Sequence, residues 1–225
     1  MDMSPFYKSI EAHSIKELTQ LCAKNKKLDV PNDQYYYPLH FCIEKGFLDL
    51  VKLLVEQGAN VNYNYKESPL IASIKLKQIE IMNYLLENGA DVSLIDEIFF
   101  SIFTTFFYMI YGENALYAAI RNRDFDTVKL LVEKGIQVNI LNNRNESPLH
   151  IAIKSNNGQI SDFLLNHEAN PNTPGNPCLS LAIKMTNLQI SSMLSARGAK
   201  EELRTPRSSR QALKINSSRK EAIEK

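Results

Sequence analysis

The chain has 225 residues, of which 44% are hydrophobic and 23% are charged, and its formal net charge is +1. A chain of this length and composition can bury a hydrophobic core, and its near-neutral charge argues against nucleic acid as the main partner. Its three cysteines, Cys22, Cys42 and Cys178, are too few and too far apart for a disulfide framework or a zinc site, which favours a reducing compartment such as the cytoplasm.

A repeated pattern runs through residues 1–199. Its marker is a proline, or the residue in its place, at positions 5, 38, 69, 115, 148 and 178, so that four of the five steps along the chain are nearly equal and the third is longer. Such a period is typical of a solenoid of stacked units. The sequence predicts six units that start near residues 4, 37, 68, 114, 147 and 177. The opening residues, Met-Asp-Met-Ser-Pro, lack the features of a secretory signal peptide, so no export by that route is expected.

Each unit contains the pattern of two short helices. Ser147 and Pro148 form a helix start, because serine caps a free backbone amide and proline fits the first helical position. Apolar residues three and four apart follow, as in Leu149, Ala152 and Ile153. A second amphipathic run ends at a glycine that tolerates left-handed backbone, at Gly58, Gly89, Gly135 or Gly198. Glu168 takes this place in the fifth unit, where we expect strain of about 1 kcal/mol.

The long third step, from position 69 to position 115, predicts an insertion between units, placed at about residues 96–111. Residues 98–111 include five phenylalanines and two tyrosines and carry no charge. As a helix they would extend only about 21 Å, too short for the roughly 30 Å hydrocarbon layer of a membrane. Two alternatives remain open: an extra helix packed on the array, or an apolar patch for a partner or for self-association, with Phe103 and Phe107 as contact residues.

Residues 200–225 form a chemically distinct tail. They carry eight basic and four acidic side chains, a net charge of +4, and few residues that could form a core. The sequence therefore predicts a basic, disordered C-terminal tail.

Several motifs resemble the ankyrin repeat family. They are Tyr37-Pro38-Leu39-His40, Ser147-Pro148-Leu149-His150-Ile151-Ala152 and Gly58-Ala59-Asn60-Val61-Asn62. The resemblance implies an all-α solenoid of about six helix-turn-helix units with hairpin fingers. It also implies protein binding without enzymatic activity. In the family the histidine at the place of His40 and His150 bonds the backbone of the next repeat, so a catalytic pair of His150 and Cys178 is not favoured. We predict no catalytic residues, no metal ligands and no cofactor.

Two sets of residues are candidate contacts for a partner. By the geometry of the family, one set lines the concave surface and would attract an acidic protein: Lys45, Lys75, Arg121, Lys154 and Lys184. The other set comprises tyrosines of the fingers, which are typical of interfaces: Tyr35, Tyr36, Tyr37, Tyr63 and Tyr65. Solvated helix faces and ordinary finger packing are the alternatives.

The sequence thus predicts a cytoplasmic scaffold or adaptor that binds a protein, with no membrane span. Abundant asparagine, isoleucine and lysine hint at an AT-rich genome, and related proteins in such genomes include effectors that bacteria deliver into the host cytosol. A further alternative is nucleic-acid or membrane-surface binding through the basic column, the tail or the aromatic insertion.

Overall fold

The computed structural model describes residues 4–24, 28–31, 37–63, 67–96, 112–174 and 177–201. Within these ranges all regular structure is helical, which confirms the predicted all-α fold, and the helices follow one another in six pairs, the six units. They are α1 (Ser4–Glu11), α2 (Ile15–Lys24), α3 (Pro38–Lys45), α4 (Leu48–Glu56), α5 (Pro69–Lys75), α6 (Ile79–Glu87), α7 (Ala115–Arg121), α8 (Phe125–Glu133), α9 (Pro148–Lys154), α10 (Gly158–Asn166), α11 (Cys178–Lys184) and α12 (Leu188–Ala196).

The first helix of each of the last five units begins at the marker residue of the repeat. Ser68 Oγ accepts a hydrogen bond from the Ile71 amide at 3.3 Å, and Ser147 Oγ accepts one from His150 at 3.2 Å. In the fourth unit, where alanine replaces proline, Asn114 Oδ1 accepts from the Leu116 amide at 3.1 Å. Side-chain capping therefore starts α5, α7 and α9, whereas α3 and α11 begin without a side-chain cap.

Left-handed backbone follows both helices of a unit. After the second helix, the four predicted glycines have φ between +77° and +94°, and Glu168 has φ +64°, so the expected strained position is present. After the first helix, Gly46 has φ +73°. The equivalent residues of the later units also have positive φ, between +54° and +57°, although none is glycine: Lys77, Arg123, Asn156 and Thr186. Each such non-glycine residue costs about 1 kcal/mol of backbone strain.

The units stack through two layers of helices. The first helices of neighbouring units pack side by side in one layer, and most second helices do so in the other. A leucine at the same position of five successive second helices is completely buried: Leu54, Leu85, Leu131, Leu164 and Leu194. Each unit therefore completes its core only by burying its apolar face against its neighbours.

The fingers are the segments that connect one unit to the next, and the third and fourth fingers share one kind of base. In the third finger the Asp96 amide donates to Glu113 O at 3.0 Å, and the Glu113 amide donates to Asp96 Oδ1 at 2.5 Å. In the fourth finger the Asn142 amide donates to Glu146 O at 3.0 Å, and the Glu146 amide donates to Asn142 Oδ1 at 2.9 Å. The two bases are equivalent, but one encloses residues 97–112 and the other only residues 143–145.

This equivalence places the insertion at the tip of the third finger, since the difference in length between the two tips equals the excess in the repeat period. Gly112 and Asn145, the last tip residues, both have φ +61°. A Cβ atom on Gly112 would also lie 2.7 Å from the side chain of Asn143, so a larger residue there would displace that side chain. The predicted insertion at about residues 96–111 lies almost wholly outside the described ranges, because these leave out residues 97–111, so its structure stays a prediction. The same holds for the predicted tail from residue 202 onward.

Candidate interaction surface

Three ion pairs recur at the same place in the third, fourth and fifth units. Lys75 Nζ lies 2.7 Å from Glu67 Oε2, Arg121 Nη2 lies 2.5 Å from Glu113 Oε1, and Lys154 Nζ lies 3.0 Å from Glu146 Oε1. The glutamate stands just before the cap of the first helix and the cation stands on the last residue of that helix. The short helix therefore brings the two partners of each pair together.

The finger bases join these ion pairs into a network. Asp96 Oδ2 lies 3.4 Å from Lys75 Nζ, and the same carboxylate accepts the Glu113 amide. Asn142 Nδ2 donates to Glu113 Oε1 and to Glu146 Oε2, both at 3.2 Å. Asp96, Glu113 and Glu146 are buried. The network thus runs unbroken from the third unit to the fifth and includes both ends of the insertion.

The buried carboxyl groups of this network differ in their electrostatics. Burial raises the pKa of Asp96 above its usual value and outweighs the hydrogen bond from the Glu113 amide and the charge of Lys75. Burial acts in the same direction on Glu146, but hydrogen bonds from Lys154 and Asn142 hold its pKa below the usual value. The ionised form of Glu146 therefore stabilises the fold above its unfolded-state pKa, and this contribution is lost as the pH falls through its folded-state pKa.

These pairs correct the prediction of a column of uncompensated positive charge. Lys75, Arg121 and Lys154 do stand at equivalent positions, but each faces a carboxylate, so the middle of the column has little net charge. Glu44 occupies the column in the second unit, and Lys45 lies one residue further on, with Nζ 5.1 Å from the centre of the Phe41 ring. Lys184 is exposed and forms no ion pair with any residue in the described part of the chain. A glutamate shortly before each helix was the sequence signal that could have revealed the pairing.

Of the five predicted finger tyrosines, the structure describes Tyr37 and Tyr63. Tyr37 is buried, and its ring centre lies 4.2 Å from that of Tyr63, with their hydroxyl oxygens 2.8 Å apart. This contact ties the first finger to the second, so Tyr37 has a structural role. Other predicted contact residues lie outside the described ranges and stay predictions: Tyr35, Tyr36, Tyr65, Phe103 and Phe107.

The family's histidine position links one unit to the next. His40 Nε2 lies 2.9 Å from Glu67 O, the backbone of the following unit, as the resemblance implied. Tyr117 replaces the histidine in the fourth unit, and its hydroxyl donates at 2.7 Å to the carbonyl oxygens of Ile140 and Glu146. Burial raises the pKa of Cys178 to about 12, which disfavours its thiolate. His40 and Tyr117 thus link neighbouring units, and Cys178 is held in its protonated form.

Two exposed apolar residues of the fingers were missed by the sequence predictions. Ile95 is 38% exposed and Leu141 is 41% exposed. Each stands directly before the base of its finger, next to Asp96 and Asn142, so the two side chains occupy equivalent positions on neighbouring fingers. Both lie next to members of the ion-pair network.

Over residues 4–201, with the gaps given above, no group of histidine, cysteine and carboxylate side chains could hold a metal ion. In the same part of the chain, no helix combines the length and the apolar character needed to cross a bilayer.

Known proteins share this sequence pattern. A family model for ankyrin repeats in three copies matches residues 8–96 and 116–205, on either side of the insertion. Ankyrin repeat protein L371 of Acanthamoeba polyphaga mimivirus is 26% identical over 165 residues, which cover 72% of this chain and 20% of that protein. Ankyrin repeat protein OPG189 of vaccinia virus strain Copenhagen is 26% identical over 183 residues, which cover 79% of this chain and 30% of that protein. The chain thus spans less than half the length of these curated relatives.

The architecture also matches solved structures. The crystal structure of an ankyrin repeat domain from Acinetobacter baumannii AYE is 25% identical, with a TM-score of 0.73. The match covers 88% of this chain and all of that domain.

Proposed function

Because the chain belongs to the ankyrin repeat family, whose repeats are generally protein–protein interaction domains, we propose that it is a non-enzymatic scaffold that binds a protein partner through its third and fourth fingers. The observation that carries this proposal is the exposed pair Ile95 and Leu141, repeated on two neighbouring fingers directly before bases that the backbone and the ion-pair network hold in place.

The chemistry of this surface supports a protein partner. An interface typically has an apolar centre and a polar rim. Here Ile95 and Leu141 supply the centre, and the pairs formed by Glu113 with Arg121 and by Glu146 with Lys154 supply a rim of both signs. A partner therefore need not be acidic, because the cations of the array already face carboxylates.

The hydrogen-bonded bases of the third and fourth fingers reduce the free-energy cost of binding a partner. Hydrogen bonds fix Asp96 to Glu113 and Asn142 to Glu146, so a partner would not have to order these segments. Association without such ordering retains more of its interaction free energy. Recognition is then expected to depend on the few exposed side chains rather than on a rearrangement of the backbone.

A double substitution tests the surface. Ile95→Asp with Leu141→Asp should lower capture of a specific protein from a lysate of the source organism at least about tenfold, because charges replace the apolar centre. Capture is measured by quantitative mass spectrometry with the full chain as bait. The matched control is Leu76→Asp with Ile79→Asp, which charges two side chains that are 49% and 58% exposed at a helix turn. Equal capture by both doubles, each folded by circular dichroism, would contradict the proposal.

A further inference from the structure

The bases of the third and fourth fingers differ at one equivalent position, which holds an acid in one and an amide in the other. Asp96 Oδ1 accepts a hydrogen bond from the Glu113 amide, and Asn142 Oδ1 accepts one from the Glu146 amide in the same way. The second polar atom of the side chain is Oδ2 in Asp96, which only accepts while the acid is ionised, and Nδ2 in Asn142, which donates. The two bases therefore share their backbone geometry but differ in one donor and one charge.

The amide of the fourth finger uses its donor between two carboxylates. Asn142 Nδ2 donates to Glu113 Oε1 and to Glu146 Oε2, both at 3.2 Å. Each of these carboxylates also faces one cation, Arg121 for Glu113 and Lys154 for Glu146. Two negative charges thus meet two positive charges, and a neutral amide bridges the two pairs.

The base of the third finger has one carboxyl group in excess. Lys75 Nζ lies 2.7 Å from Glu67 Oε2 and 3.4 Å from Asp96 Oδ2, so one cation serves two acids. Glu113 is paired with Arg121. Among the described residues, Lys75 and Glu113 are the charged neighbours of Asp96, and Glu67 and Arg121 lie beyond them as their partners. Three carboxyl groups therefore meet two cations.

Burial makes this excess charge costly. Asp96 is 6% exposed, so water screens its charge poorly. A buried acid without a full counter-charge is neutralised by a proton more readily than an exposed one. The protonated carboxyl group keeps Oδ1 as acceptor for the Glu113 amide and turns Oδ2 into a donor, the counterpart of Asn142 Nδ2. The neutral acid thus gives the third finger the donor pattern that the amide gives the fourth.

We propose that Asp96 is a proton-binding site of the third finger, whose base closes with this carboxyl group protonated and loosens as the proton is lost at higher pH. The proposal stands independently of the proposed function.

The direction of the pH effect follows from proton linkage. Burial raises the pKa of Asp96 in the closed base. The stabilising contribution of its protonated form is therefore complete below the ordinary aspartate value of about 3.9 and is lost as the pH rises through the pKa of the closed base. Glu146 responds in the opposite direction, because hydrogen bonds from Lys154 and Asn142 lower its pKa. A rise in pH above about 4 should therefore weaken the third base and leave the fourth intact.

Hydrogen exchange of single amides in the full chain tests the proposal. NMR gives the protection factors of the Glu113 amide, which bonds Asp96, and of the Glu146 amide, which bonds Asn142 and serves as internal reference. Between about pH 4 and pH 8, the ratio of the first to the second should fall at least about fivefold. A ratio that stays constant over this range, or that rises with pH, would overturn the proposal.

Two reciprocal variants separate the proton from the shape of the base. Asp96→Asn fixes the neutral donor pattern and should make the ratio independent of pH, whereas a pH dependence that survives in this variant would show that another group is responsible. Asn142→Asp places the same excess carboxyl group in the fourth finger and should make the Glu146 amide lose protection as the pH rises. If Asn142→Asp does not fold, the comparison of the wild type with Asp96→Asn decides alone.

Discussion

The junction between the second and third units and the junction between the third and fourth units are held by different means. At the former, His40 bonds Glu67 O, Asn62 bonds the backbone at Gly89 and Asp91, and Gln78 Nε2 donates to Ile43 O at 2.6 Å. At the junction between the third and fourth units, the described residues form only the equivalent of the Gln78 bond: Asn122 Nδ2 donates to Ile74 O at 2.6 Å.

The links made by His40 and Asn62 have no equivalent at the junction between the third and fourth units, because one residue differs at each position. Ile71 stands at the histidine position and has no polar group, and Ser93 stands at the asparagine position and donates to Asp91 within its own finger. The second helices α6 and α8 also pack less closely than α4 and α6. The extra sequence of the third finger lies at this same junction, where the first two of these links are absent among the described residues.

Removing the Asn62 link should make the junction between the second and third units resemble the one between the third and fourth. Asn62→Ala should lower the free energy of unfolding by about 1–2 kcal/mol, because two hydrogen bonds between units are lost. Ser93→Ala is the matched control and should change it by less than about 0.5 kcal/mol, since Ser93 bonds only its own finger. Urea denaturation measures both variants. An equal loss in the two variants would show that the asparagine link carries no special stability.

Adding the asparagine link to the junction between the third and fourth units should make the two junctions more alike. Ser93→Asn places an amide opposite Gly135 O and the Gln137 amide, and the expected gain is about 1 kcal/mol or less, because the bonds are partly exposed. The same substitution in a chain that also carries Asn62→Ala should give the same gain, since the two junctions are separate. Urea denaturation again gives the free energies, and a destabilised Ser93→Asn variant would count against equivalent finger geometry.

Exchanging the finger tips should leave the array folded. Replacing residues 97–112 by Asn-Arg-Asn, the tip of the fourth finger, should keep the free energy of unfolding within about 1–2 kcal/mol, because the closing bonds are the same and loop-closure entropy varies slowly with length. Thermal unfolding followed by circular dichroism measures it. A larger loss of stability would favour the alternative in which the aromatic segment packs on the array.

The fold could be predicted from local chemistry because each signal acts within a few residues. Capping by Ser68 and Ser147 and the left-handed turn at Gly135 depend on neighbours in sequence, so their positions could be predicted. The repeat period gave the size of the insertion for the same reason. The non-glycine residues Lys77 and Arg123 at positive φ show that stacking overrides local preference, which no short window of sequence reveals.

The candidate site was predicted less well because its chemistry depends on pairs brought together by folding. Lys75 and Arg121 were recognised as a column, but their neutralisation by Glu67 and Glu113 depends on the finger base turning back beside the helix. The exposure of Ile95 and Leu141 likewise follows from where each finger closes. Solvent exposure of an apolar residue in a loop carries no sequence signature of its own.

The sparsely linked junction has a mechanical consequence. In a stack whose units touch only their neighbours, a force applied at the two ends passes through every junction in turn. Of the two junctions compared above, the one between the third and fourth units has fewer of the three kinds of link. Under tension, we therefore expect it to open before the junction between the second and third units.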